Sequence, residues 1–234
     1  MKYPRWKFIL VWICFFVLCC WVTKECTAQT LPLAYAKHKS YEVYYSMENK
    51  CPAFVVYDLC LADFAGTQKV ATHHFKKDTK LPRPWVKDDD YKNSGYVRGH
   101  LCAAGDRDSD KAKMKDTYYC SNIVPMPMII NSGPWRKAEE QIRQMCRPDC
   151  SLVVAAWPIF MNSDTTFIGQ HRVRVPSSMV KVARCRIHPN EMISVVANFN
   201  DGTMRPYESD TYSSTLQNIL DERVKLLFRR YFEF

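Results

Sequence analysis

Tyr96-Val97-Arg98-Gly99-His100-Leu101 leads, through Asp106-Arg107, to Ser121-Asn122-Ile123-Val124-Pro125 and then to Asn131-Ser132-Gly133-Pro134-Trp135. The order reads as strand, loop, strand, helix, because the β-rich pieces are short and a proline suits the first turn of a helix. From Pro134 onward, Trp135, Ala138, Ile142 and Met145 recur at helical spacing until Pro148 stops the run. Two short strands joined by a loop and followed by a helix are therefore expected mid-chain, with the densest polar cluster of the chain among them.

Outward from this stretch, Phe54 to Leu61, Leu152 to Trp157, Met179 to Ile187 and Met192 to Phe199 are rich in Val, Ile and Phe and bounded by turn residues. They read as strands of one central sheet. Leu216, Ile219, Leu220, Val224 and Leu227 give a second helical face near the C-terminus. Lys69 to Gly95, polar and proline-bearing, reads as a long surface loop. The architecture reads as mixed α+β.

The chain has 234 residues, 47% hydrophobic and 24% charged, a balance that excludes disordered, collagenous and multi-span membrane classes. Lys and Arg number 33 against 24 Asp and Glu, a net charge of +9 that favours an anionic partner. Lys2, Arg5 and Lys7 precede an unbroken apolar run from Phe8 to Val22 and the small residues Cys26-Thr27-Ala28. This predicts a signal peptide over residues 1–28 and a secreted or periplasmic protein, since the run is short for the roughly 20 residues of a spanning helix. An uncleaved anchor is the alternative, and no stable membrane association is expected after cleavage. Residues 29–234, with no repeat or Gly/Ser linker, are expected to form a single domain. Seven of the 11 cysteines lie there, and Cys146 with Cys150 and Cys51 with Cys60 are local disulfide candidates for an oxidising compartment. No paired C-x2-C spacing supports a zinc site.

The chemistry gathers where the predicted elements meet. His100 has an imidazole, the side chain whose ordinary pKa suits proton transfer near neutrality. Asn131 offers a neutral oxygen that a hard divalent cation can take along with several waters. Arg98, Arg107 and Arg143 supply positive charge for a phosphodiester. A base for water, a Lewis acid and cations for charge growing on phosphorus are the parts of metal-assisted phosphodiester hydrolysis.

These residues resemble the DNA/RNA non-specific endonucleases of the ββα-metal (His-Me finger) type. The family shows D-R-G-H, then S-N-I-x-P, then N-x-G-x-W-x-x-x-E with an Arg one turn later. The counterparts are Arg98-Gly99-His100, Ser121-Asn122-Ile123-x-Pro125, and Asn131-x-Gly133-x-Trp135 with Glu139 and Arg143. Similarity continues through Pro158-Ile159-Phe160, Ile168-Gly169 and Val175-Pro176 to Lys181-Val182, covering about residues 41–232. The resemblance implies an α+β fold with a ββα-metal core on a central, mostly antiparallel sheet flanked by helices, with His100 as general base and Asn131 as ligand of a hydrated Mg²⁺, with Mn²⁺ or Ca²⁺ as alternatives. It implies that Glu139 reaches a metal-bound water, that Asn122 organises the pocket, and that Arg98 and Arg143 hold phosphate. DNA and RNA would be bound through backbone phosphates with little base preference and cut to 5′-phosphate and 3′-hydroxyl ends.

Val97 stands where the family usually has Asp, which makes Asp106 the expected carboxylate partner of Arg98 or His100, and no upstream arginine is evident. Two rivals follow: a weakly active or inactive nucleic-acid-binding protein on the same fold, and a phosphodiesterase for small nucleotides. Simpler readings stand beside individual residues. Arg98 alone could be a structural ion-pair partner, Asn131 alone a helix cap, and Glu139 with Arg143 an i,i+4 surface pair. Asp88-Asp89-Asp90 and Lys111, Lys113 and Lys115 read as solvated faces. Asp106, Asp108 and Asp110 do not make a calcium loop, because Lys111 and Thr117 occupy the positions that need Gly and Glu.

Overall fold

Val55-Val56-Tyr57, Val153-Val154 and Val180 to Val182 are β-branched and aromatic stretches that pack well on a pleated surface, and they form the middle of the main sheet. A computed structural model describes residues 33–68, 74–161, 165–199, 204–206 and 222–232. In chain order the first elements are β1 (Ala34–Lys37), β2 (Glu42–Ser46), β3 (Cys51–Leu59), α1 (Leu61–Phe64), β4 (Val97–His100) and α2 (Lys111–Asp116). There follow β5 (Ile123–Met126), α3 (Arg136–Met145), β6 (Leu152–Ile159), β7 (Phe167–Ile168), β8 (Val173–Arg174), β9 (Ser178–Cys185), β10 (Met192–Asn198), β11 (Met204–Pro206) and α4 (Glu222–Phe232).

Seven strands form one sheet in the order β1-β2-β3-β6-β9-β10-β11, and every neighbouring pair is antiparallel. The register places Tyr57 opposite Val154, and Val154 opposite Ala183. With a side-chain period of two, Val55, Tyr57, Leu59, Val154 and Ala183 share one buried face, while Phe54, Val56, Val153, Trp157 and Val182 share the other. Both faces are covered, so these strands read as continuous apolar runs rather than alternating ones. On the second face α4 brings Phe228 and Tyr231 against Trp157 and Phe54, with ring centroids 5.9 and 6.2 Å apart. On the first face lie a separate β4–β5 ribbon and α3, whose Ala138 and Ile142 are buried one turn apart.

Several expectations change. The strand expected from Phe54 begins at Cys51, and Leu61 opens α1 instead of ending that strand. Described residues 74–95 are not only a surface loop, for Leu81, Val86 and Tyr91 enter the core. Residues 1–28, the start of the loop at 69–73 and the helical face at 216–221 lie outside the described residues. Neither local disulfide forms: Cys150 joins Cys185, while Cys51, Cys60 and Cys146 are free. An extended strand separates Cys51 from Cys60 by roughly 30 Å. Cys146 turns inward toward the carbonyl of Leu59, while the end of β9 brings Cys185 to Cys150.

Candidate active site

The ribbon and helix meet at His100. Ladder pairing sets Arg98 opposite Pro125, Gly99 opposite Val124 and His100 opposite Ile123. A Cβ on Gly99 would lie 2.6 Å from Met126 Cε and 2.8 Å from its Cβ, so only glycine lets β4 approach β5 this closely. The His100 ring is walled by Phe75 and edge-on Tyr118, with centroids 5.5 and 5.1 Å away. After β5 a helical turn, Met128–Ile130, runs into a wider turn, Asn131–Trp135, that kinks at Gly133 (φ −103°, ψ −106°) before Pro134. Trp135 closes the arrangement by donating its indole N–H to the His100 carbonyl at 3.0 Å. One hydrogen bond thus ties the turn that carries Asn131 to the end of the strand that carries His100.

Two asparagines behave differently here. Asn122 is fully buried; its Oδ1 accepts from the Cys102 N–H at 2.8 Å, and its Nδ2 donates to the carbonyls of Cys102 and Thr117 at 2.9 Å each. Its amide is used entirely in fixing the chain that follows His100. Asn131 is half-buried and helical (φ −61°, ψ −47°), its N–H reaches Pro127 O at 3.0 Å, and it forms no side-chain cap. The capping alternative therefore fails, because Asn131 is itself helical and the residues at the two N-cap positions are Pro127 and Ile130.

The charged groups are sorted into pairs. Arg98 donates from Nε to Asp88 Oδ1 at 2.5 Å and from a terminal nitrogen to the Asp88 carbonyl at 2.8 Å. The expected partner, Asp106, instead accepts from Arg143 at 2.7 Å and from the Tyr57 hydroxyl at 2.7 Å. Arg98 and Arg143 each keep about a fifth of the side chain exposed, with 22% each. Arg107 does not join them: it is 3% exposed and bound to the carbonyls of Ser40, Asp58 and Asp106, and it is structural. Glu139 pairs with Lys181 at 3.1 Å, not with Arg143. Lys181 is itself fully buried, its ammonium 4.6 Å from the centre of the Trp135 ring. Burial pushes the Glu139 carboxyl above its ordinary value while Lys181 pulls it down.

Asp88 and Lys181 are the site neighbours that the sequence did not single out. Asp88 sits in a triple-Asp run that resembles a solvent-facing segment. Lys181 left a faint trace, as a cation inside an apolar strand. Lys113, expected in solvent, pairs with Asp63 at 3.1 Å.

Asp88, Asp106 and Glu139 each have a cationic partner, so the junction is not a multi-carboxylate cage. Among the described residues the one close grouping of three cysteine, acidic or histidine side chains is Cys150, Cys185 and Glu191, away from this site, and its two sulfurs are spent in the disulfide. A lone carboxamide at Asn131 fits a cation that keeps most of its waters, as Mg²⁺ prefers.

A two-stranded ribbon ending in histidine, followed by a helix and set on an antiparallel sheet, is the fold of the ββα-metal nucleases. The chain belongs to the DNA/RNA non-specific endonuclease family, whose sequence profile matches residues 24–224. It is 27% identical over 165 residues to the mitochondrial nuclease EXOG of Danio rerio, covering 66% of this chain and 48% of that one. Against human mitochondrial endonuclease G it is 31% identical over 102 residues, covering 40% and 34%. The chain spans about half the length, or less, of these curated relatives. A crystal structure of an EndoG/EndoGI complex has the same fold, with a TM-score of 0.65 over 80% of this chain and 84% of that chain, at 23% identity. The family is one of divalent-metal-dependent nucleases.

These relatives correct the secreted or periplasmic destination expected from the N-terminus, since both curated relatives are named as mitochondrial. A basic, acid-free start is common to export signals and to organelle-import leaders, so the charge pattern of residues 1–24 did not discriminate between them. No helix among the described residues is long and apolar enough to cross a membrane.

Proposed function

We propose that this chain is a metal-dependent endonuclease that hydrolyses phosphodiester bonds of DNA and RNA with little base preference, leaving 5′-phosphate and 3′-hydroxyl ends. The observation that carries the reading is the Trp135–His100 hydrogen bond, which brings the Asn131 turn and the His100 strand to one junction. His100 accepts the proton of the attacking water at its imidazole, between the rings of Phe75 and Tyr118. Arg98 and Arg143, held by Asp88 and Asp106, present guanidinium groups to phosphate oxygens as negative charge grows there. Asn122 positions the segment after His100, and Glu139, beside Lys181, would help to hold a hydrated cation. Asn131 would hold Mg²⁺, with Mn²⁺ or Ca²⁺ as alternatives. When bound, the cation supplies Lewis-acid stabilisation of the leaving oxygen.

The Asp88 contact also weakens the inactive-protein rival, because Arg98 has a carboxylate despite Val97. The test uses purified protein with plasmid DNA and RNA, with Mg²⁺ or with EDTA. Cutting that requires the cation is expected, and His100→Ala is expected to lose roughly 10²- to 10⁴-fold in rate while keeping its melting temperature. Undiminished cutting in EDTA, or full activity of the variant, would overturn the mechanism. Salt-sensitive binding without turnover would instead select a nucleic-acid-binding protein.

A further inference from the structure

Residues 74–87, His-Phe-Lys-Lys-Asp-Thr-Lys-Leu-Pro-Arg-Pro-Trp-Val-Lys, carry five Lys or Arg and one acid. That acid is not available to neutralise them. Asp78 is 3% exposed and is bound by His38 at 2.8 Å and Ser121 at 2.6 Å. Lys76, Lys77 and Arg83 face solvent, and no ion pair joins any of them among the described residues. The segment is nonetheless held in place, with Leu81 and Val86 buried beneath it. Trp85 donates its indole N–H to Leu81 O at 2.7 Å, and its ring lies 4.9 Å from the Lys77 ammonium and 4.4 Å from the Arg83 guanidinium. Lys76 is held in the same way, 3.8 Å from the Tyr119 ring. The root of the segment enters the junction described above, for Phe75 stands 5.5 Å from the His100 ring and 5.4 Å from the Arg98 guanidinium.

We propose that Lys76, Lys77 and Arg83 form a second phosphate-contacting strip, which leads away from the His100 junction and holds the polynucleotide strand beyond the bond being cut. This rests on the endonuclease reading. Aromatic contacts fix the three cations without cancelling their charge, so each can replace condensed counterions when it meets a backbone phosphate. Such contacts position a strand without reading its bases.

The test is fluorescence anisotropy of a labelled oligonucleotide, single-stranded and duplex, titrated with the intact chain in EDTA from 50 to 200 mM salt. The triple variant Lys76→Gln/Lys77→Gln/Arg83→Gln is expected to reduce the slope of log affinity against log salt by about 2 on single strands and about 3 on duplex, and to weaken binding at least about tenfold at 0.1 M salt. Replacing the two lysines by arginine should keep the slope. A control triple on α4, across the sheet, is Lys225→Gln/Arg229→Gln/Arg230→Gln; it should leave the slope unchanged. An unaltered slope in the strip variant, or an equal loss in the α4 control, overturns the strip. Because binding is read without turnover, the two claims fail separately. A chain that binds with this signature but cuts nothing in Mg²⁺ loses the nuclease reading alone, and one that cuts normally with an unaltered slope loses the strip alone.

Discussion

Asn122 and Asn131 carry the same carboxamide nine positions apart, and their surroundings divide the work between them. Asn122 gives all its amide hydrogen bonds to backbone groups, so Asn122→Ala strands buried donors and acceptors and should cost about 2–4 kcal/mol in urea unfolding. Activity normalised to the folded fraction should also fall, because the segment that follows His100 loses its anchor. The motifs that hold these residues are legible in the sequence because each is short and matches, in order and spacing, the family that the chain resembles. The counter-ion of Arg98 is not, since a carboxylate brought in from ten residues upstream leaves no local pattern. Nor does the Asp88-Asp89-Asp90 run disclose its three fates: Asp88 meets Arg98, Asp89 meets Lys92 in solvent, and Asp90 turns inward to His171.

Between elements, the decisive contact is a cation passed from β9 to α3. Lys181→Met would leave the Glu139 carboxylate largely buried without its partner and should cost roughly 2–4 kcal/mol, discounted because Glu139 retains 15% exposure. The double variant Lys181→Met/Glu139→Gln should recover much of that loss, since an uncharged pair has no desolvated charge to compensate. Additive losses in a urea double-mutant cycle would show that the two side chains do not interact. Apolar runs revealed β6, β9 and β10 because strands covered on both faces have little polar interruption. The start of β3 was hidden by Pro52, a residue that argues against a central strand. The register shift at Tyr44/Tyr45 in β2 is the local irregularity opposite which it is accommodated.

Taken over the whole chain, acid sensitivity should reflect a few carboxyls tied deep in the structure. Burial alone would raise the Asp78 carboxyl, but hydrogen bonds from His38 and Ser121 outweigh it and hold the group below its ordinary range. For Asp63, burial is likewise outweighed by Arg107, with Cys60 and Lys113 adding. A depressed folded-state pKa stabilises above the unfolded value near 4 and is lost as pH falls through the folded one. Urea midpoints should therefore hold down to about pH 4 and then drop, and Asp78→Asn should flatten that drop; an unchanged profile in the variant would place the sensitivity elsewhere. The two-faced sheet was foreseeable from composition and apolar runs, whereas the pairing of Cys150 with Cys185 depended on which strand ends meet. The reach of Asp88 into the ribbon has a further meaning for descent. Arginine and acid sit on separate segments, so replacing the loop by one without an acid at position 88 would leave Arg98 without this carboxylate. The two segments are best inherited together.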